Sequence, residues 1–124
     1  MNVPDNVTLN TRGECGLAYD EVVVIGDLIL DKFVTGRCDR ISPEAPVPVL
    51  TESSITYRGG GAANVALNCQ AMGVKTTLMG ITGRDVEANI LADQVNDVAC
   101  VHFQKEKGIP TTLKTRYIAD GRHV

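Results

Sequence analysis

Gly59-Gly60-Gly61-Ala62-Ala63-Asn64-Val65-Ala66-Leu67-Asn68 is the stretch on which the fold turns. Three glycines lead straight into sequence of high helix propensity. Glycine loses the most backbone freedom on ordering and is a poor helix residue, so three together need a physical reason. That reason is a close approach to the backbone that admits no side chain. Ala62, Val65, Ala66, Cys69 and Met72 then recur at helical spacing. Gly73 suits the position just past a helix end, so the pattern predicts a helix of about twelve residues opened by the glycines.

Upstream, Glu21-Val-Val-Val-Ile-Gly26 is a short β-branched run ending in glycine, the pattern of a buried parallel strand. Lys32–Arg37 and Val47–Thr51 are two shorter extended segments, separated by Ser42-Pro-Glu-Ala-Pro-Val-Pro48. Prolines so closely spaced exclude a central strand and favour an edge-like or lid-like excursion. Ser54–Arg58 reads as a strand returning to the main body. Downstream, Lys75–Ile81 is a strand, Thr82–Asp85 a turn and cap, and Val86–Val95 a second amphipathic helix. Ala99–Phe103 and Thr111–Ala119 are two further strands around the turn Glu106–Pro110. Strand, lid, helix, strand, helix, strand is the order of an α/β sheet with crossover helices.

The composition is that of a globular chain: 124 residues, 44% hydrophobic and 22% charged, with a net charge of −3. That charge argues against a nucleic-acid or anionic-membrane surface. No apolar run approaches the roughly 20 residues of a membrane span, and the polar N-terminus lacks the layout of a signal peptide. The expectation is a cytoplasmic protein whose residues 1–20 form a mobile extension. Cys15, Cys38, Cys69 and Cys100 include no C-x-x-C pair, which leaves zinc poorly supported. Cys69 and Cys100 read as small core residues, His102 as a strand residue and His123 as part of a frayed end.

A glycine-rich turn between strand and helix converges backbone N–H groups and the positive helix end on one point. A Walker P-loop is excluded because no Lys follows these glycines. The dinucleotide fingerprint fails too: its third glycine position is Asn64, and the glycines come far after the first strand. Tight helix–sheet packing remains as the plain alternative.

Gly60-Gly61-Ala62-Ala63-Asn64-Val65-Ala66, with Gly73 and Gly83 beyond it, resembles the first signature of the ribokinase-like, phosphofructokinase-B-type sugar kinases. Val24-Ile-Gly-Asp-Leu-Ile-Leu-Asp31 resembles the first strand of that family and its sugar-binding acid. Arg40-Ile-Ser-Pro-Glu-Ala-Pro-Val-Pro-Val49 is similar to the heptose 7-phosphate kinase branch. Gly59 and the pair Cys38-Asp39 depart from what that branch usually carries at these positions.

The resemblance implies the N-terminal part of a doubly wound sheet with a small β lid at about residues 32–58. It implies that Gly60 and Gly61 lie against a sugar, that Asn64 bonds its hydroxyls, and that Asp31 accepts from them. Asp31 is expected just beyond the first strand, and Asp27 is expected to brace the turn after Gly26. Arg40, Lys114 and Arg116 are candidates for the sugar's own phosphate, with a solvated strand face as the alternative for the last two. The lid is expected to exclude water from the reacting group and to pair subunits. The resemblance further implies ATP and Mg²⁺ in the complete enzyme. The family's G-A-G-D segment, which carries the catalytic base and anion hole, does not occur in this sequence. Two expectations follow: the sugar-binding part of an ATP-dependent heptose 7-phosphate kinase, inactive alone and partnered by a separate C-terminal half or a second copy, or a truncated non-enzymatic sugar-phosphate-binding or dimerisation module that pairs with a full-length kinase.

Overall fold

A computed structural model describes residues 21–123, so the expected extension at 1–20 lies outside the described residues. Two sheets share one core. The first is parallel, with β1 (Glu21–Ile25), β4 (Lys75–Thr82) and β5 (Cys100–Lys105) in the order β1-β4-β5. The second has the order β3-β2-β6-β7, built from β2 (Leu28–Ile41), β3 (Pro48–Gly61), β6 (Thr112–Ala119) and β7 (Arg122–His123). Helices α1 (Ala62–Ala71) and α2 (Val86–Gln94) lead into β4 and out of it. The α/β reading with parallel strands and crossover helices is the observed architecture.

The core joins both sheets to both helices. Leu28 and Leu30 of β2 meet Ala62, Ala63 and Ala66 of α1, Leu78 of β4, and Leu91 of α2. Leu30, Leu78 and Leu91 are fully enclosed; each such side chain contributes about 1.5–3 kcal/mol relative to exposure. Alanine on the buried face of α1 lets this helix sit close against the strands. Gly59 makes the same contact from below: a Cβ there would lie 3.1 Å from that of Ala63.

Both helix boundaries have local causes. Gly73 follows α1 with φ 83°, the left-handed conformation expected of it. Asp85 caps α2 by accepting from Ala88 N–H at 3.0 Å. The same carboxylate accepts from the Thr111 N–H at 2.7 Å and the Thr111 hydroxyl at 2.6 Å, tying the start of α2 to the approach to β6.

Several expectations are corrected. The glycines do not open the helix: they are the last three residues of β3, and α1 begins at Ala62. The two short segments around the prolines are one hairpin of two 14-residue strands, with Leu28 opposite Gly61 and Ile41 opposite Pro48. β3 is an edge strand that starts at Pro48, with Pro43 and Pro46 in the turn before it, and bulges interrupt the pairing near Gly36 and beyond Arg37. Local sequence did not show that β6 joins this hairpin, running parallel to β2 from Ile29↔Thr112 to Gly36↔Ala119. The sheet that contains the hairpin therefore includes residues far downstream of it. Asp31 lies within β2 rather than in a loop beyond β1. Cys69 and Cys100 are only partly buried, and His123 pairs with Ile118 rather than fraying.

Candidate functional site

The last turn of β3, the start of α1 and the middle of β2 enclose a cavity of about 380 Å³. Asp31, Gly60, Gly61 and Asn64, four of the residues expected to bind sugar, all line it. Arg58, Phe33, Leu67 and Gln94 complete much of the wall.

Each polar group is held by local structure. Gly61 precedes α1 with φ 57° and ψ −131°, a conformation that only glycine adopts without strain. A Cβ at Gly61 would strike the Asp27 carbonyl. That carbonyl is committed: it accepts the first helical N–H, from Ala62, at 2.9 Å. Asp27 thus braces the turn through its backbone. No side chain caps α1, so amides of its first turn keep the donor capacity that a capping residue would have used. Gly60 is constrained differently, because a Cβ there would strike Oδ2 of Asp31. The chain's own turn thus requires glycine at 61, and its own carboxylate disfavours any side chain at 60. The expected approach of a sugar to Gly60 and Gly61 is not needed to explain them.

Asp31 is the notable polar group. Its side chain is 17% exposed, and Oδ1 is buried without a hydrogen-bond partner. Arg116 Nη2 stands 3.6 Å from that atom, close enough to neutralise charge but too far for a hydrogen bond. Leaving a buried carboxylate oxygen unsatisfied is costly, so an orphan acceptor facing a cavity marks a place for a donor such as a hydroxyl.

The cationic candidates separate. Lys114 lies directly across from Asp31 on β6, and Arg116 directly across from Phe33, so both share the face of the sheet that bears Asp31. Arg40 pairs with Val49 near the far end of the hairpin. Nine strand residues beyond Asp31 amount to roughly 30 Å, so the fold does not bring Arg40 to this cavity. Arg58 was missed by sequence reasoning. It immediately precedes the glycines, but its register opposite Asp31 is a tertiary fact.

A larger cleft of about 670 Å³ lies on the outer face of the parallel sheet, around Ile25, Met79, Ile81 and Phe103. It is mostly aliphatic, and it arises because α1 and α2 cover only the other face. The convergent polar groups are in the smaller cavity. Among the described residues, no group of three or more His, Cys, Asp or Glu side chains is placed to hold a metal ion. No described helix is long and apolar enough to cross a membrane.

Comparison with solved structures places this arrangement in the ribokinase-like fold of sugar kinases. Phosphofructokinase-2 from Escherichia coli, solved in complex with fructose-6-phosphate, superimposes with a TM-score of 0.67 at 17% identity, covering 86% of this chain and 34% of that one. Arabidopsis thaliana ribokinase, complexed with ribose and ATP, gives 0.62 at 20% identity over 82% of this chain and 33% of that one. The family is shown by sequence: residues 20–123 match the pfkB family carbohydrate kinases, and the chain belongs to that family. Among its relatives, the bifunctional protein HldE of Alcanivorax borkumensis is 49% identical over 104 residues. The match takes in 82% of this chain and 22% of the relative, so the chain spans about a fifth of that protein's length.

Proposed function

We propose that this chain is the sugar-binding part of an ATP-dependent kinase that phosphorylates heptose 7-phosphate at its anomeric hydroxyl, in the synthesis of ADP-heptose. The observation that carries the reading is the convergence of Asp31, Gly60, Gly61 and Asn64 on one cavity, with a buried Asp31 oxygen lacking a donor. A polyol supplies such donors. Asp31 accepts from sugar hydroxyls, while Asn64 both donates and accepts. The bare backbone at Gly60 and Gly61 keeps the wall low enough for a ring to lie against it. The heptose assignment rests on the segment Arg40–Val49 and is supported by the near-half identity to an HldE protein. The sheet β3-β2-β6-β7 acts as the lid, and its exposed edge offers a surface for a second copy.

ATP and Mg²⁺ belong to the complete enzyme in this reading, and the described residues do not fit them. The glycine turn is occupied on its inner side by the Asp27 carbonyl and the Asp31 carboxylate. No lysine directly follows the glycines, and among the described residues no acidic cluster is placed to hold a metal. In phosphoryl transfer, positioning and electrostatic stabilisation supply nearly all of the catalysis, and those parts come from outside these residues. The chain's contribution is to bind and orient the acceptor sugar and to shield it from water.

The test is calorimetric titration of the chain with heptose 7-phosphate, alongside an ATP-consumption assay with Mg²⁺. Binding without turnover is expected, with turnover appearing when the C-terminal portion of a relative is added. Turnover by the chain alone, lost in Asp31→Asn, would show that Asp31 has been misassigned.

A further inference from the structure

Helix α2 ends at the sugar cavity: its last residue, Gln94, lines the wall together with Leu67 of α1. The other two glutamines of the chain spend their amides within the fold. Gln70 Oε1 accepts from the Thr76 and Ala99 N–H groups at 3.3 and 3.2 Å, and Gln104 donates to Glu106 at 2.6 Å. The Gln94 amide makes no such bond among the described residues. A group with two N–H donors and an acceptor oxygen therefore borders the cavity unspent.

The packing of α2 fixes where that amide stands. Ala88 and Leu91, with Val95 just past the helix end, are almost fully enclosed, so the core sets the rotation of the helix. Asp85 pins its other end to Thr111. Around β3 the cavity turns a corner. A Cβ on Gly60 would point at Asp31, whereas one on Gly59 would point to the opposite face, 3.5 Å from Leu67 Cδ1 and 3.6 Å from Val95 Cγ1. Asp31 and Gln94 thus line one cavity from the two sides of an edge strand. A ring lying on the glycine backbone, bonded by Asp31 and Asn64, reaches Gln94 through a substituent that passes this edge. In a seven-carbon sugar closed as a six-membered ring, C6 and C7 form such a substituent. C7 carries the phosphate, so the free exocyclic hydroxyl is the one on C6.

We propose that Gln94 determines specificity for sugar chain length: its amide hydrogen-bonds the C6 hydroxyl of the exocyclic chain. A six-carbon sugar phosphate carries its phosphate on C6 and has no such hydroxyl, so the amide would be left without its partner. The inference rests on the sugar-pocket reading above and adds to it the selection of seven carbons over six. Leu67, beside Gln94 in the wall, covers the carbons of that chain and keeps water from the bond, which strengthens it.

The experiment is calorimetric titration of the chain with heptose 7-phosphate and, separately, with its 6-deoxy analogue, which keeps the ring and the phosphate. The wild type should bind heptose 7-phosphate about three- to tenfold tighter than the analogue, the range of one neutral hydrogen bond. Gln94→Met, similar in length but without the amide, should lose that same factor for heptose 7-phosphate. It should bind the analogue as the wild type does, which also shows that the variant is folded. The preference for the hydroxyl should therefore vanish in the variant. Gln94→Glu should keep part of the preference through its acceptor oxygens, while repulsion of the phosphate weakens both ligands alike. Equal losses for both ligands in Gln94→Met, or no loss, would overturn the role of Gln94. Equal binding of both ligands by the wild type would overturn it while sparing the pocket. If neither ligand binds, the pocket reading fails and the role of Gln94 with it.

Discussion

Gly60→Ala tests whether the glycine turn is built around the Asp31 carboxylate. Gly60 is a strand residue with no positive φ, so the backbone itself would accept alanine. The obstacle is Asp31: the new Cβ would meet Oδ2 and lie 3.1 Å from Cγ, whereas Ile29 Cβ at 3.5 Å is an ordinary contact. Relief requires Asp31 to rotate off its preferred position by some tens of degrees, which costs about 0.5–1.5 kcal/mol. Against this, replacing glycine with alanine reduces unfolded-state freedom and stabilises by about 0.4–1 kcal/mol. In the wild-type background the two nearly offset, and stability should change by less than about 1 kcal/mol. In an Asp31→Ala background the clash is gone, so Gly60→Ala should stabilise by the full entropic amount. The double-mutant cycle should therefore show coupling near 1 kcal/mol, read from urea unfolding followed by circular dichroism. Binding of heptose 7-phosphate should meanwhile fall in Gly60→Ala about as far as in Asp31→Ala, because the carboxylate is turned away. Additivity within about 0.5 kcal/mol would refute the reasoning.

Asp31→Ala and Asn64→Ala should each weaken heptose 7-phosphate binding by about ten- to a hundredfold in calorimetry. Gly61→Val should do worse, since it combines a φ of 57° with a clash against the Asp27 carbonyl; unchanged affinity in all three would remove the pocket from this turn. The hydroxyl of Thr111, followed by its N–H and that of Ala88, holds the Asp85 carboxyl below its ordinary value of 3.8. A depressed folded pKa means the contribution is present above the unfolded pKa and is lost as pH falls through the folded one. The urea midpoint should therefore drop as pH falls below about 4, and Asp85→Asn should flatten that limb; parallel acid limbs would exclude this carboxylate as the cause. The outer face of β1-β4-β5 exposes Val23, Ile25, Met79 and Ile81, so the isolated chain should associate in a concentration-dependent way in sedimentation velocity. Ile25→Glu with Ile81→Lys should shift it toward monomer, and a monomeric wild type at all concentrations would contradict the expectation.

Local sequence determined much of this protein. The β-branched run Val22–Ile25, the alanine face of α1, Gly73 after it and Asp85 before α2 each act over a few residues. Periodicity and end chemistry therefore revealed them directly. Asp31, Gly60, Gly61 and Asn64 were legible through a motif, because contacts to a backbone impose glycine at fixed positions. Only tertiary structure decided the rest. Whether Gly59–Gly61 end a strand or begin a helix depends on pairing with Leu28–Leu30, which periodicity does not encode. β6 joins β2 across some eighty residues of chain, bringing Arg116 to Asp31 and Phe33. The same register sets Arg58 opposite Asp31 and carries Arg40 to the far end of the hairpin. A one-residue slip would send every one of these side chains to the other face. Strand identity is a local property of a chain, whereas register is settled by the combined burial of Leu28, Leu30, Ala63 and Leu91 in one core.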